Sequence, residues 1–455
     1  MNRYSVCLLA LALAGCEDMY EEKVGDSGLT DAEVTTDTTA TDTTGPGTTE
    51  TGTTETGTTG TTGTGTTGTT GTTETGTTDA EGWVANLSPC TGSKLDTLEC
   101  DDASTCYVGC GSNAVGDGLF VTTDGGSSWD IAPDAYGGFF ETWRVHDLFR
   151  DPGDGLLYVA GIGDDDYRVV SLDTATGELG EVYNNNRNID YSMSVGSYAR
   201  RSDGLEVAES LTGNQVIVRY PDADFQDLYA DFGGWGNGAY WWQSTDFTSN
   251  TQVLDMAVVN DHILGVGSQI NVPPAVLLPP RDWDFAVDDG SGTFDMWETV
   301  SFAADGFGAY DGECWGIDGN ADGLAVVCVN QDADKGMVYT IGSDWETTAY
   351  EPSNWTATSF DTVVAAATVS GHSTWNEGVC RGPGNRVAVV GRDSQTDDGY
   401  VAYSEDGGES WQELTAEIEG AFGVGLGPVT ECSFDDTHLM VAGPGLYAYA
   451  PLTAL

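Results

Sequence analysis

Beyond about residue 82 the chain breaks into short apolar runs separated by clusters of Gly, Asp and Asn. Long amphipathic helical patterns are scarce there, so the pattern predicts many short strands joined by turns. Four stretches follow one plan: LECDDASTCYVGCG from Leu98, GECWGIDGNADGLAVVC from Gly312, GVCRGPGNRVAVVGR from Gly378 and TECSFDDTHLMVAG from Thr430. Each has a short strand with an apolar residue or Cys, a turn of Asp, Gly or Asn, and a strand of Val, Leu and Ala that ends in a small residue. RVHDLFRDPGDGLLYVAG from Arg144, SMSVGSYARRSDGLEVAES from Ser192 and VLDMAVVNDHILGVGS from Val253 repeat the plan without the cysteine.

First strands therefore fall near residues 99, 146, 194, 255, 314, 380 and 432. Their spacing, roughly 45 to 65 residues, leaves room for four antiparallel strands per unit, as in a propeller blade. The last unit has only about 25 residues after Thr430, enough for three strands. GWVANLS from Gly82 is a strand with no unit of its own. Placed as the outer strand of the last blade, it closes the ring and removes exposed sheet edges. The expected fold class is all-β: a β-propeller of about seven four-stranded blades over residues 80–455, with a sandwich of the same strands as the alternative.

Composition changes the picture upstream of this region. Residues 35–79 are almost wholly Thr and Gly with scattered Asp and Glu, too poor in apolar surface to offset the entropy of ordering. They read as a flexible linker whose ends lie on the order of 35 to 40 Å apart, preceded by an acidic segment at 16–34. At the start, MNRYSVCLLALALAGC has a single Arg and then an apolar stretch too short to span a bilayer. LAGC at Leu13 to Cys16 resembles the lipobox of bacterial lipoproteins. The resemblance implies a signal peptide over 1–15, cleavage before Cys16 and acylation of its thiol, hence a lipid anchor at the cell envelope. The outer membrane or cell surface is favoured over the inner membrane.

Export bears on the remaining cysteines. Cys7 lies in the signal and Cys16 takes the lipid, which leaves Cys90, Cys100, Cys106, Cys110, Cys314, Cys328, Cys380 and Cys432. This even set suits disulfides in an oxidising compartment, and no paired C-x-x-C knuckle points to zinc. Cys314 stands four residues before the turn DGNADG and Cys328 five after it, so a near-symmetric hairpin pairs them. DGNADG also imitates the first half of a calcium loop, but Val329 occupies the position of the bidentate Glu, which favours a plain hairpin turn.

The formal net charge is −58, with only 15 Lys and Arg. So few cations cannot neutralise a phosphate backbone, which excludes nucleic acid as a partner. Carboxylate oxygens are abundant, and acidic clusters such as GDDD at 163–166 make Ca²⁺ the one cofactor that the composition invites, with no metal ligand set assigned.

Two octapeptides recur nearly three hundred residues apart, TTDGGSSW at 122–129 and SEDGGESW at 404–411. Both fit [ST]-x-D-x-G-x-[ST]-W and resemble the Asp-box (BNR) repeat of sialidase-like β-propellers. An Asp opening a tight turn accepts backbone N–H groups two or three residues on, a Gly takes positive φ, and a Ser hydroxyl adds a local bond. Trp129 and Trp411 then begin the next strand and bury aromatic surface. The resemblance implies that the box joins the third and fourth strands of a blade, so Asp124, Gly126, Ser128, Trp129, Asp406, Gly408, Ser410 and Trp411 are assigned structural roles.

No catalytic constellation stands out. Sialidases carry F-R-I-P before their boxes, whereas VRYP at Val218 to Pro221 follows the first box and departs at two positions, which leaves Arg219 an ordinary strand residue. GDSG at Gly25 to Gly28 imitates a serine-protease nucleophile segment, yet it precedes the linker with no folded domain to supply His and Asp. H-E-x-x-H, G-x-S-x-G and the phosphate-binding loop pattern are absent. For binding, FGGWGNGAYWWQSTDF from Phe232 sets Trp235, Tyr240, Trp241 and Trp242 among glycines in a long connection, where they are candidate stacking residues for sugar or hot spots for protein. NVPPAVLLPPRDW from Asn271 reads as a second long insertion on the same rim. The sequence thus predicts a monomeric, lipid-anchored, non-catalytic binding or scaffold module with a glycan or envelope protein as ligand. A glycoside hydrolase with an unrecognised site is the alternative.

Overall fold

A computed structural model describes residues 82–455 apart from 92, 112–116, 164–165, 185–194, 211–215, 220–239, 243–250, 270–271, 279–297, 303–311, 331–334 and 365–373. Its strands form an all-β propeller of seven four-stranded antiparallel blades, two of which share a longer sheet through the single bridge Ser268 to Glu313. The inner strands are Leu95–Asp102, Arg144–Arg150, Val195–Arg200, Thr251–Val259, Gly312–Asn320, Thr374–Arg381 and Glu431–Phe434, which we number as blades 1 to 7. Each lies at or beside a position expected from the repeats.

The ring closes at blade 7. Val84–Asn86 pairs antiparallel with Leu446–Pro451, outside the last three strands of the chain, with Val84 opposite Tyr449 and Asn86 opposite Tyr447. Trp83 is 2% exposed and packs with blades 6 and 7, so this strand is held by side-chain burial as well as by its ladder. The ends of the folded chain meet here: a Cβ on Gly82 would stand 3.1 Å from the Ala454 Cβ.

Why several second strands carry a glycine near their end is visible in the ladder. Strands such as Leu157–Gly163 and Val387–Asp393 are apolar on both faces because each is covered by a neighbouring blade on either side. Their inner-strand partners carry a bulge, between Val145 and Asp147 in blade 2 and between Asn376 and Gly378 in blade 6. A Cβ on Gly161 would come within 2.2 Å of the Arg144 carbonyl oxygen, and one on Gly391 within 2.1 Å of that of Trp375. Glycine lets the bulged backbone approach. The apolar core is accordingly divided among inter-blade clusters, for example Leu119, Val145 and Leu157 between blades 1 and 2, and Leu324, Tyr339 and Trp345 with Leu264 and Val276 between blades 5 and 4.

Two expectations are corrected. The stretch from Asn271 contributes a blade strand: Val272–Leu278 is the third strand of blade 4, and Pro273 and Pro274 fall at a register shift, where a missing N–H breaks no ladder bond. Tyr240–Trp242 is likewise a strand, the outer one of blade 3, paired with Val216–Arg219, so these aromatics belong to a sheet edge and not to a connection. Arg219 ends the third strand of that blade. Trp235, Cys16, the GDSG segment and the linker lie outside the described residues, as do Asp164 and Asp165.

The eight cysteines after Cys16 are all paired, as Cys90–Cys110, Cys100–Cys106, Cys314–Cys328 and Cys380–Cys432. Cys314 and Cys328 face each other in a hairpin whose turn is Ala321 and Asp322, with the Asn320 side chain accepting the Asp322 N–H at 2.9 Å. This is the plain hairpin turn.

Candidate functional site

Inner strands converge on the propeller axis, and each of several brings a carboxyl. Glu431 in blade 7 experiences Asp255, Asp96, Asp147 and Glu377, which belong to blades 4, 1, 2 and 6. Groups from five blades can share one electrostatic environment only where the blades meet, so these half-buried side chains gather at the propeller axis. Burial pushes Glu99 up to about 8, with Asp101 and Asp318 adding to the rise and Arg150 opposing it. Asp147 is pushed up to about 7 and Asp318 to about 6, again chiefly by burial. Asp255 and Glu431 are raised well above the carboxylate range by burial, then by their acidic neighbours.

Three of the acids stitch one blade to another. The Asp147 carboxylate accepts the Tyr198 N–H of blade 3 at 2.7 Å, Asp255 accepts the Ile317 N–H of blade 5 at 2.9 Å, and Asp318 accepts the Arg381 N–H of blade 6 at 2.7 Å. At the hairpin turns Asp435 does the same between blades 7 and 1, receiving the Ala103 N–H at 3.0 Å. Around the same end, Arg150 pairs with Asp101 at 2.8 Å and Arg200 with Asp151 at 2.6 Å. The axis thus gathers carboxyls that burial holds toward their protonated form, several with an oxygen already engaged by backbone of the next blade. Among the described residues no group of three or more His, Cys, Asp or Glu side chains is placed to hold a metal ion.

The octapeptide turns lie away from the axis, each between the third and fourth strands of its blade. In the first, Asp124 accepts the Ser128 N–H at 2.9 Å and the Ser128 hydroxyl at 2.7 Å, and Thr122 Oγ1 bonds Asp124 at 2.9 Å. In the second, Asp406 accepts the Ser410 N–H at 2.8 Å, the Ser410 hydroxyl, and the Ser404 hydroxyl at 2.8 Å. Burial opposes ionisation of Asp124 and Asp406, and these bonds outweigh it, holding both carboxyls below the usual range. The backbone donor stands four residues after the Asp, one or two residues later than the sequence suggested. The leading Thr or Ser supplies what had been overlooked, since Thr122 Oγ1 and Ser404 Oγ each accept the Gly126 or Gly408 N–H at 2.8 Å. Both glycines have positive φ, +82° and +95°. Trp129 and Trp411 are half-buried and precede the fourth strands by one residue, so they flank those strands instead of starting them.

No family model and no curated protein matches the sequence. Among solved structures, a streptogramin B lyase is similar with a TM-score of 0.51 at 10% identity, covering 81% of this chain and 98% of that one. YCF48 bound to D1 peptide gives 0.48 at 13% identity over 82% and 98%, and the β-propeller domain of Myceliophteria thermophila Cps50 (Swd1) gives 0.46 at 10% over 81% and 99%. At such identity the likeness is one of fold.

Proposed function

We propose that the chain is a non-catalytic binding or scaffold module, exported and held at the cell envelope by a lipid on Cys16, with the two octapeptides serving as Asp-box turns that brace the blades. The observation that supports this reading best is the employment of the axial acids. Asp147, Asp255 and Asp318 spend carboxylate oxygens on backbone N–H groups of another blade, where a glycosidase pair would keep its carboxyls directed at substrate. The net charge of −58 favours a ligand with a cationic face, and among the candidate classes we favour an envelope protein over a glycan. The edge aromatics Tyr240, Trp241 and Trp242, with Trp235, remain the proposed contacts should the ligand be a sugar.

The test incubates the purified chain with a glycan array and with envelope extract, in low and high salt, and assays released sugar in parallel. Retention of basic proteins that weakens with salt, without sugar release, is the expected outcome. Turnover of any glycoside overturns the reading in favour of the hydrolase.

A further inference from the structure

The four disulfides are not distributed evenly. Cys100–Cys106 and Cys314–Cys328 each stay within one hairpin, with sequence separations of 6 and 14. Cys380–Cys432, separated by 52 residues, joins the inner strands of blades 6 and 7. Cys90–Cys110 ties the segment that follows the closing strand to the second strand of blade 1. Blade 7 is therefore fastened covalently toward one neighbour, and its closing segment toward the other.

It is also the blade with the shortest inner strand, 4 residues where those of the other blades have 6 to 9. Nothing in the covalent chain brings the outer strand of this blade to its place: Ser88 reaches the Gly443 carbonyl oxygen from 355 residues away. Loop-closure entropy opposes this contact more than any between consecutive blades. A cross-link that shortens the unfolded loops, or holds the closing segment against blade 1, offsets it.

We propose that ring closure is redox-gated, with Cys90–Cys110 and Cys380–Cys432 holding blade 7 in the ring and their reduction releasing blade 7 and the closing strand while the middle blades stay folded. Each bond forms when two thiols give up two protons and two electrons to a disulfide oxidant, such as oxidised glutathione, which leaves as two thiols. A dithiol reverses the step and ends as its own disulfide. The export reading enters only in saying where oxidation happens, and the gate itself is measured on the purified chain.

The experiment follows amide hydrogen exchange of the full chain, oxidised and after dithiothreitol, with thiol titration to count the bonds opened. Two variants accompany it, C90S/C110S/C380S/C432S and, as the intra-blade control, C314S/C328S. The four-serine variant and the reduced protein should exchange about tenfold or more faster over residues 83–91 and 431–451, and less than about twofold faster over 157–163 and 323–330. The control variant should match the oxidised protein at the seam. Seam peptides that stay protected in the four-serine variant overturn the proposal, and so does its loss of protection in all blades together.

Discussion

The two octapeptides fold into the same turn but spend their tryptophans differently. In blade 6 the Trp411 indole N–H returns to the carbonyl oxygen of Gly408, inside its own turn, at 3.0 Å, while the ring meets Phe360 edge-on at 4.9 Å. In blade 1 the Trp129 indole N–H leaves the turn and donates to the Leu87 carbonyl oxygen at 3.0 Å, and the ring meets Tyr447 at 5.5 Å. The Asn86 side chain adds a bond to the Gly125 carbonyl oxygen at 2.8 Å. Each turn packs against the preceding blade, but for blade 1 that blade is the last in the chain. One local motif therefore does a local job at one place and a closing job at the other, and only its position in the ring separates them.

The largest effect expected comes from the turn glycines. A Cβ on Gly126 would stand 2.4 Å from the Tyr447 ring, and one on Gly408 would stand 2.7 Å from the Thr340 hydroxyl oxygen. With positive φ at both, Gly126→Ala and Gly408→Ala should each destabilise by about 2 to 4 kcal/mol in denaturant unfolding. The Gly126 variant should lose more, because the rigid ring at the seam yields less than a threonine rotamer. Equal losses would mean that the seam has no special stiffness.

Acidity gives the next contrast. Glu431 sits beside Cys432 in blade 7 and Glu99 in blade 1, and both are raised in the folded protein. The folded state then holds protons that the unfolded chain releases above about 4.5, so this stability is complete below that pH and lost as pH climbs, for Glu99 through about 8. Thermal midpoints should therefore fall between pH 5 and pH 8. Glu431→Gln should raise the midpoint at pH 8, an advantage of about 1 kcal/mol that closes near pH 5. A midpoint that rises with pH over this range would contradict the raised, buried state of these axial carboxyls.

The smallest contrast concerns the two indoles themselves. Trp129→Phe and Trp411→Phe each lose one hydrogen bond, about 1 kcal/mol. Hydrogen exchange should quicken around residues 84–88 for Trp129→Phe and stay unchanged there for Trp411→Phe. Identical exchange in both variants would break the distinction between closing and local roles.

Much of the architecture was legible because every blade repeats its own turn signals at short range, as around Asp318 to Gly323, and a hairpin needs no distant information. The strand at 272–278 was missed because Pro273 and Pro274 outweighed the AVLL run behind them, and a proline pair reads as a break unless a bulge accommodates it. Tyr240–Trp242 was missed because its partner lies beyond a long intervening stretch. The axial acids were invisible for a different reason. Glu99, Asp147, Asp255, Asp318 and Glu431 lie in the first strands of five of the seven units, a signal available on superposing the repeats, yet in a chain with 73 Asp and Glu it was lost among the rest. Their mutual proximity exists only once the ring has closed.

The glycines at the bulges, Gly161 and Gly391, and Gly443, whose added Cβ would lie 2.1 Å from the Pro428 carbonyl oxygen, bear on geometry at a larger scale. Each sets how closely the first two strands of its own blade approach, and so the shape of the wedge that the blade presents to its neighbours. Seven wedges must sum to a full turn, so an angular error at any of them accumulates around the circle and surfaces as misfit at the last gap, far from the residue that caused it.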